Sequence, residues 1–286
     1  MSDELHFTVN GVDGEMKIRD YLKSRLGFST SLIAKVKYDN VLLNRVPVHM
    51  RATVKNGDEI AVHLPVEESE HITPVSLPIE VLYEDEHILA VNKPINMPTH
   101  PSRGNHLTTL AECVRAYLGH PFVFRAVSRL DRDTSGIVLI AKNQLSAAIL
   151  SRHLRAGKFR KIYYATVVGI PSPHEGEINA PIAREKEGEI KRVVRKDGKP
   201  ALTKYRVISI NPDGGSTLEL EAVTGRTHQL RVHLAHIGHP LKNDFLYGER
   251  VEGKTYYLHC GRLEFPHPGT GETMIVATRQ FDSASF

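Results

Sequence analysis

The chain of 286 residues is 41% hydrophobic and 24% charged, which are the proportions of an ordinary folded protein. Its formal net charge of +4, from 37 Lys and Arg against 33 Asp and Glu, excludes a histone-like basic coat, so a polyanion would have to bind a local basic patch. Two cysteines, Cys113 and Cys260, are too few for a disulfide framework or a four-thiolate zinc site. No apolar run approaches the roughly 20 residues of a membrane helix, and residues 1–15 lack the apolar core of a signal peptide. We therefore expect a cytoplasmic protein with no membrane association.

The clearest boundary along the chain is the acidic, proline-containing segment 66–78. Such a composition predicts a linker that buries little surface. It divides the chain into a small module of residues 1–65 and a larger domain of residues 79–286, and both sizes are reasonable for independent folding units.

The small module has the signals of a compact α/β unit. Apolar residues recur at helical spacing over residues 18–26 and are followed by Gly27, and a second helix is predicted to start at Ser29 or Thr30. Short strands are predicted at 41–43 and 59–62. Lys35 and Lys37 are among the basic residues on or beside the helices, where they form either an RNA-binding surface or an ordinary solvated face.

The larger domain has the signals of a mainly antiparallel sheet with inserted helices. Residues 79–83 and 88–91 predict one hairpin, residues 204–210 and 216–222 predict another, and single strands are predicted at 136–141 and 163–168. Thr109 and Glu112 have the spacing of a capping box for a helix that ends at Gly119. A further helix is predicted from near Thr227 to Gly238, and the basic run 191–199 is predicted to lie in a glycine-containing loop.

The most unusual segment is RLDRDTSG, residues 129–136, which enters a buried strand. One interpretation is a salt-bridged surface turn in which Asp133 bonds the nearby backbone. A second is that one of its carboxylates is a nucleophile or base that an arginine keeps ionised. A third is a pair of glycosidase carboxylates, Asp131 and Asp133, although that spacing is too common to be diagnostic.

The second dense segment, residues 224–240, contains Arg226, Arg231 and four histidines. No cysteine or acidic residue lies between the histidines, so the pattern does not favour a metal site. The two arginines flank the start of a predicted helix, and the free N–H groups of a helix N-terminus favour an anion such as an Asp carboxylate or an RNA phosphate.

Basic residues also lead directly into aromatic ones at Lys161 and Tyr163, a pattern that suits a path along RNA phosphates with a stacked base. A solvated face is the alternative. Neither a Walker nor a Rossmann glycine pattern is present, so a nucleotide cofactor has no support.

Taken together, these segments resemble the RNA pseudouridine synthases of the RluA family. The resemblance covers roughly residues 81–272, and Ser128 stands where the family often has His. The matching segments, in order, are AVNKP (90–94), HPS (100–102), RLDRDTSG (129–136), KxYxA (161–165), TGRTHQLR (224–231), LH (258–259) and FxHPxxGE (265–272). The small module resembles the S-four-type RNA-binding domain that often precedes this catalytic domain.

The resemblance implies an α+β fold, with a mixed, mostly antiparallel β-sheet catalytic domain and a small α/β N-terminal RNA-binding domain. It implies an enzyme that isomerises uridines in structured RNA, ribosomal more than transfer RNA, with no cofactor and no metal. We also expect a monomer. Asp131 would be the nucleophile, Arg231 its salt-bridge partner and Tyr163 the ring stacked on the target uracil. Arg129 would fill the gap left by the flipped base. The further residues that we expect to contact RNA are Lys35, Lys37, Arg132, Lys161 and Arg226.

Two other functions are compatible with the same residues. The first is a non-catalytic RNA-binding or ribosome-assembly factor that kept the fold, against which the intact Arg129, Asp131, Tyr163 and Arg231 argue. The second is a nucleoside or glycoside hydrolase, which would release free base or sugar, whereas pseudouridylation leaves the mass of the RNA unchanged.

Overall fold

The computed structural model describes residues 3–36, 40–65, 67, 72–102, 107–119 and 122–279. Two successive groups of elements each enclose a hydrophobic core of their own. Among the residues described, no helix combines the length and the apolar character needed to cross a bilayer.

The first group is a small α/β unit. Its antiparallel sheet has the order β1-β6-β3-β4, and β2 pairs with β5 beside it. Its elements are β1 (Asp3–Thr8), β2 (Met16–Lys17), α1 (Ile18–Ser24), α2 (Thr30–Lys35), β3 (Val41–Leu43), β4 (Val46–Pro47), β5 (Thr53–Val54) and β6 (Glu59–Leu64). The Ser29 hydroxyl accepts a hydrogen bond from the Leu32 amide at 3.0 Å, so α2 begins with the cap that the sequence predicts.

The second group is built on one large sheet of order β11-β14-β15-β10-β16-β9-β8-β7, with β17 paired to β16. The strands of this second group are β7 (Glu80–Glu84), β8 (Ile88–Lys93), β9 (Ser135–Ala141), β10 (Arg160–Val167), β11 (Glu175–Asn179), β12 (Ile182–Arg184), β13 (Arg192–Val194), β14 (Leu202–Ile210), β15 (Ser216–Ala222), β16 (Leu258–Pro266) and β17 (Thr273–Ala277). Its helices are α3 (Leu110–Leu118), α4 (Gln144–Arg155) and α5 (Gln229–His236). Within the described part of this sheet, only β9 and β16 pair in parallel, so the predicted α+β, mostly antiparallel fold is confirmed.

Gly136 allows β9 to approach β16. Its φ is 109°, and a Cβ at this position would lie 2.3 Å from the Cys260 carbonyl oxygen. Only glycine fits this contact without moving the neighbouring backbone. Because Cys260 also pairs with Tyr163 on β10, the loop that precedes β9 is brought close to the centre of the sheet.

The basic run 191–199 differs from the sequence prediction. It was expected to be a loop, but Arg192–Val194 forms β13 and pairs with β12. Val194 packs against buried residues of the core beneath α5. Two β-branched valines with an apolar surface to cover are sufficient for a short strand, even beside several charges.

The described residues of the segment 66–78, which are 67 and 72–78, make contacts that its composition does not predict. Glu67 binds both Lys35 of α2 and Arg125, and Ile72 packs against the core of the large sheet. On the same side of the small unit, the Gln144 side chain donates to the Pro65 carbonyl at 2.9 Å, and Leu145 and Ala148 of α4 pack against its core. The composition of a segment does not show which of its residues make contacts of this kind, and these contacts decide how firmly the segment is packed.

Candidate active site

Asp131 lies on a loop whose backbone is fixed by hydrogen bonds just before and just after this residue. Leu130 is buried in the core, and its backbone exchanges hydrogen bonds with the Thr99 hydroxyl at 2.9 and 3.3 Å. The Asp131 carbonyl accepts from the Thr134 amide at 3.2 Å and so closes a turn. The Asp131 side chain between these anchors is 31% exposed, which leaves it accessible to a substrate.

Asp133, the other carboxylate of the loop, is already engaged. Both of its oxygens accept hydrogen bonds from the Arg132 guanidinium, at 3.0 and 2.8 Å, and its side chain is only 11% exposed. A bidentate pair of this kind orients and screens a carboxylate. The structure therefore leaves Asp131 as the more available of the two, and it shows Arg132 bound to Asp133.

Lys93 fixes the loop from beneath. It is completely buried, and its ammonium donates to the carbonyls of Pro94, Met97 and Arg132 at 2.8, 2.8 and 3.0 Å. Burial lowers the pKa of Lys93 to about 8, against the opposing effect of the Asp133 and Asp131 charges. The three carbonyls belong to the two loops that meet below Asp131, so this one side chain links them.

We predict that the stability of the protein depends on pH through Lys93. Its folded-state pKa lies below its ordinary value of 10.5, so the unfolded chain binds more protons between pH 8 and pH 10.5. The contribution of Lys93 to the free energy of unfolding therefore rises with pH in that window. We compare the free energies of unfolding of wild type and Lys93→Met in denaturant titrations. We expect the wild-type value minus the variant value to increase by roughly 2–3 kcal/mol from pH 7.5 to 10. A difference that stays constant across this range would contradict the assignment.

Arg231 faces Asp131 from α5. Its Nη1 lies 3.8 Å from Asp131 Oδ2, while Nε and Nη2 donate to the two oxygens of Asp244 at 2.8 and 2.7 Å. Burial disfavours the Arg231 charge, but the hydrogen bonds to Asp244 outweigh this and raise the pKa of Arg231. The guanidinium is thus a fixed cation, and Asp244 determines the direction in which its remaining nitrogen points.

Three aromatic rings surround the same guanidinium. The Arg231 Cζ atom lies 4.5, 5.0 and 5.3 Å from the ring centroids of Tyr256, Tyr247 and Phe245. At this range a cation is attracted to the ring faces, and the rings also keep water away from it. Phe245 is 42% exposed, so one of these rings reaches the surface beside the site.

Tyr163 lies in the middle of the sheet, opposite Leu220 on β15 and Cys260 on β16. Burial raises the pKa of its phenol well above the ordinary value, and the neighbouring Cys260 thiol and the Asp131 carboxylate act in the same direction. The phenol is therefore uncharged at neutral pH. Arg231 and Tyr163 therefore both lie near Asp131, and their roles stay predictions from the resemblance.

The start of α5 is fixed by a residue that sequence reasoning did not select. Gln229 accepts from the Thr224 hydroxyl at 2.7 Å and the Arg226 amide at 3.0 Å, and donates to the Leu202 carbonyl at 2.9 Å. These bonds fasten the preceding loop to β14. Because Leu230 and Leu234 face the sheet core, the helix turns Arg231 toward Asp131.

The predicted RNA-binding residues differ in their exposure. Arg129, two residues before Asp131, is exposed and has no ion-pair partner among the described residues. Lys161 is buried, and a Cβ on Gly225 would lie 3.3 Å from its ammonium. The exposed Arg226 donates to the Pro200 carbonyl at 2.9 Å and so is not directed at Asp131.

Two further candidates belong to the small module. Lys35 is half-exposed and forms its ion pair with Glu67. Lys37 lies outside the described residues. The RNA contacts of both lysines stay predictions from the sequence.

Within the described part of the chain, no group of three or more His, Cys, Asp and Glu residues is placed to hold a metal ion. Three of the four histidines of residues 224–240 have separate partners. His233 lies between the Thr203 hydroxyl and the Ala180 carbonyl, both at 2.9 Å, and His239 contacts the Val168 carbonyl at 2.9 Å. His228 contacts Tyr247 at 2.8 Å.

Asp244 is the most important residue that the sequence prediction missed. It is fully buried, and besides binding Arg231 it accepts from the Leu246 and Tyr247 amides at 3.0 and 3.2 Å. The preceding Asn243 has a φ of 64°, which is typical of a turn. The Asn-Asp pair signals a turn in the sequence, but nothing local indicates that its carboxylate is buried against an arginine.

Comparison with known proteins decides the family. The family model described as RNA pseudouridylate synthase matches residues 87–236, which contain Asp131, Tyr163 and Arg231. The chain belongs to the RNA pseudouridine synthase family. It is therefore an isomerase that acts on RNA.

The synthase is similar to several named proteins over most of its length. It is 37% identical to "Uncharacterized RNA pseudouridine synthase YjbO" of Bacillus subtilis, covering 91% of this chain and 93% of that protein. It is 34% identical to "Ribosomal large subunit pseudouridine synthase D" of Xanthomonas campestris, covering 86% and 79%. Among solved structures it resembles "Human RNA Pseudouridylate Synthase Domain Containing 1" with a TM-score of 0.61 and 28% identity, over 75% of this chain and 89% of the other.

Proposed function

We propose that this synthase is an RluA-type enzyme that converts uridines of ribosomal RNA to pseudouridine with Asp131 as its nucleophile. The observation that carries the proposal is the position of the Asp131 carboxylate. It is accessible and lies 3.8 Å from the buried Arg231 guanidinium, while the competing Asp133 is bound by Arg132. A fixed cation this close attracts the carboxylate and helps to orient it for attack.

A carboxylate and a nearby cation are sufficient for this reaction. The bond between C1′ of the ribose and N1 of uracil breaks, and a bond between C1′ and C5 forms. N1 gains a proton and C5 loses one, so atoms and electrons balance without an oxidant or reductant. The covalent role assigned to Asp131 divides this exchange into two easier steps. The aromatic rings around Arg231 limit water near the intermediate and thereby limit hydrolysis.

The target base must leave the RNA stack before it can reach Asp131, which costs a few kcal/mol. Tyr163 would stack on the extruded uracil and recover part of that energy. Arg129 would occupy the vacated position in the RNA. In support of this role, Arg129 is exposed, whereas the neighbouring Arg132 is held by Asp133.

Ribosomal RNA is proposed as the substrate because two relatives that are 34% identical carry the name "Ribosomal large subunit pseudouridine synthase D". Monomeric action in the cytoplasm stays a prediction from the sequence.

We further propose that residues 1–65 form an S-four-like RNA-binding domain, joined through 66–78 to a catalytic domain of residues 79–286. The separate core of the small unit supports this division. The contacts of Glu67 with Lys35 and Arg125 would hold the two domains in a defined arrangement.

The decisive test is to map pseudouridines in total RNA from cells with and without the protein. We expect one or a few positions in ribosomal RNA to lose pseudouridine when the protein is absent and to regain it when wild-type protein is restored. Loss confined to transfer RNA would contradict the proposed substrate while leaving the enzymatic activity in place.

A further inference from the structure

His228 lies beside the proposed nucleophile without a role in the reaction described so far. It precedes α5 with a φ of 56°, and its side chain is only 12% exposed. Its Nε2 lies 3.9 Å from Asp131 Oδ2, and its Nδ1 lies 2.8 Å from the Tyr247 hydroxyl. Asp131 Oδ2 thus faces two nitrogens at almost equal distances, since Arg231 Nη1 is 3.8 Å away.

The hydrogen bonds of Tyr247 favour one tautomer of His228. The Arg192 amide on β13 donates to the Tyr247 oxygen at 2.9 Å, which leaves the phenolic hydrogen free to be donated to His228 Nδ1. Burial raises the pKa of Tyr247 to about 12, so the phenol keeps this hydrogen at neutral pH. With Nδ1 as acceptor, a neutral imidazole has its hydrogen on Nε2, on the side of Asp131.

The surroundings of His228 favour the neutral ring. Burial is the largest influence and lowers its pKa. The Asp131 and Asp244 carboxylates oppose this shift, whereas the Arg231 and Arg192 cations add to it. Below its pKa the ring would become a second cation next to Asp131. Above it, the ring offers Asp131 one uncharged donor.

We propose that His228 is a positioning residue that, together with Arg231, orients Asp131 by directing its Nε2–H at Oδ2. Oδ1, for which the described residues supply no donor, is then turned to the substrate. Both distances to Oδ2 exceed hydrogen-bond length, as is common for catalytic groups before substrate binds, and they shorten when RNA fills the cleft. A neutral donor orients the anion without the additional stabilisation that a second cation would give. The proposal rests on Asp131 being the nucleophile.

Two substitutions test the roles of the two ring nitrogens of His228 separately. In His228→Asn the amide replaces the Nδ1 side of the ring and nothing reaches Asp131, and asparagine tolerates the left-handed backbone of this position well. In His228→Gln the amide nitrogen takes the place of Nε2. We expect His228→Asn to slow single-turnover isomerisation about tenfold to a hundredfold, the effect of one hydrogen bond to a charged acceptor, with RNA affinity unchanged. His228→Gln should retain most of the wild-type rate.

The assay is tritium release from total RNA of cells that lack the protein, labelled with uridine tritiated at C5. Tyr247→Phe keeps the ring over Arg231 but removes the hydroxyl, so we expect a loss of a few-fold. Because both variants act through one donor, His228→Asn combined with Tyr247→Phe should be no slower than His228→Asn alone. Wild-type rates for His228→Asn, or losses that multiply in the double variant, would overturn the proposal.

Asp131→Asn serves as the reference in the same assay. If it isomerises normally, the assignment of the nucleophile fails and the role of His228 fails with it. If it is inactive while His228→Asn is as fast as wild type, only the role of His228 fails.

Discussion

Replacing Asp131 with asparagine is expected to abolish pseudouridine formation while RNA binding is retained. The amide has nearly the shape of the carboxylate but has no anionic oxygen with which to attack. Removing a catalytic nucleophile lowers turnover by on the order of 10⁴-fold or more. Tritium release under single-turnover conditions measures the rate, and filter binding of the same RNA measures affinity.

Asp133→Asn is the matched control for this experiment. It makes the same chemical change two residues away, on a carboxylate whose oxygens are bound by Arg132. We expect this variant, compared at equal amounts of folded protein, to isomerise uridine at a readily measured rate. Normal product formation by folded Asp131→Asn protein would contradict the role of Asp131. Loss of activity in Asp133→Asn alone would reverse the roles of the two residues.

Asp244→Asn is expected to destabilise the whole protein and to inactivate what remains folded. Asp244 is fully buried and supplies both oxygens to Arg231, which is 3% exposed. Breaking a buried pair on one side leaves a charge without compensation and typically costs about 3–5 kcal/mol. Denaturant unfolding monitored by circular dichroism measures the loss. A variant as stable as wild type would show that Arg231 finds another partner.

The control for Asp244 is Asp213→Asn, which removes a carboxylate from an exposed pair with Lys242. Exposed pairs are screened by water and contribute little to stability. We expect no measurable change in the unfolding midpoint and a wild-type rate of isomerisation. Activity lost in both variants would point to a general effect of removing acidic side chains.

The arrangement of charges explains why the site needs several buried polar groups. Arg231 and Lys93 approach Asp131 from different elements, and each has partners that fix its position. A buried cation without such partners would be strongly disfavoured. The cost of burying these charges is therefore met by Asp244 for Arg231 and by three backbone carbonyls for Lys93.

Much of the local structure follows from local sequence signals. The capping box of Thr109 and Glu112, the cap at Ser29 and the strand Ser216–Ala222 are found where the patterns predict them. Each depends on residues within a few positions of one another, which is the range over which helix caps and strand alternation act. The strand β13 was missed because its valines are few and lie among charged residues, and its stability comes from distant contacts with the core.

The amino-acid sequence by itself determined that a loop rich in aspartate and arginine enters a buried strand, and its resemblance to one family singled out Asp131, Tyr163 and Arg231. Only the tertiary structure decided that Asp244 aims Arg231 at Asp131 Oδ2 and that His228 faces the same oxygen. It also decided that Lys93 joins the two loops below Asp131. The physical reason is that hydrogen bonds between buried charges form across elements that are distant in the chain. Their geometry depends on how those elements pack and not on the residues beside them.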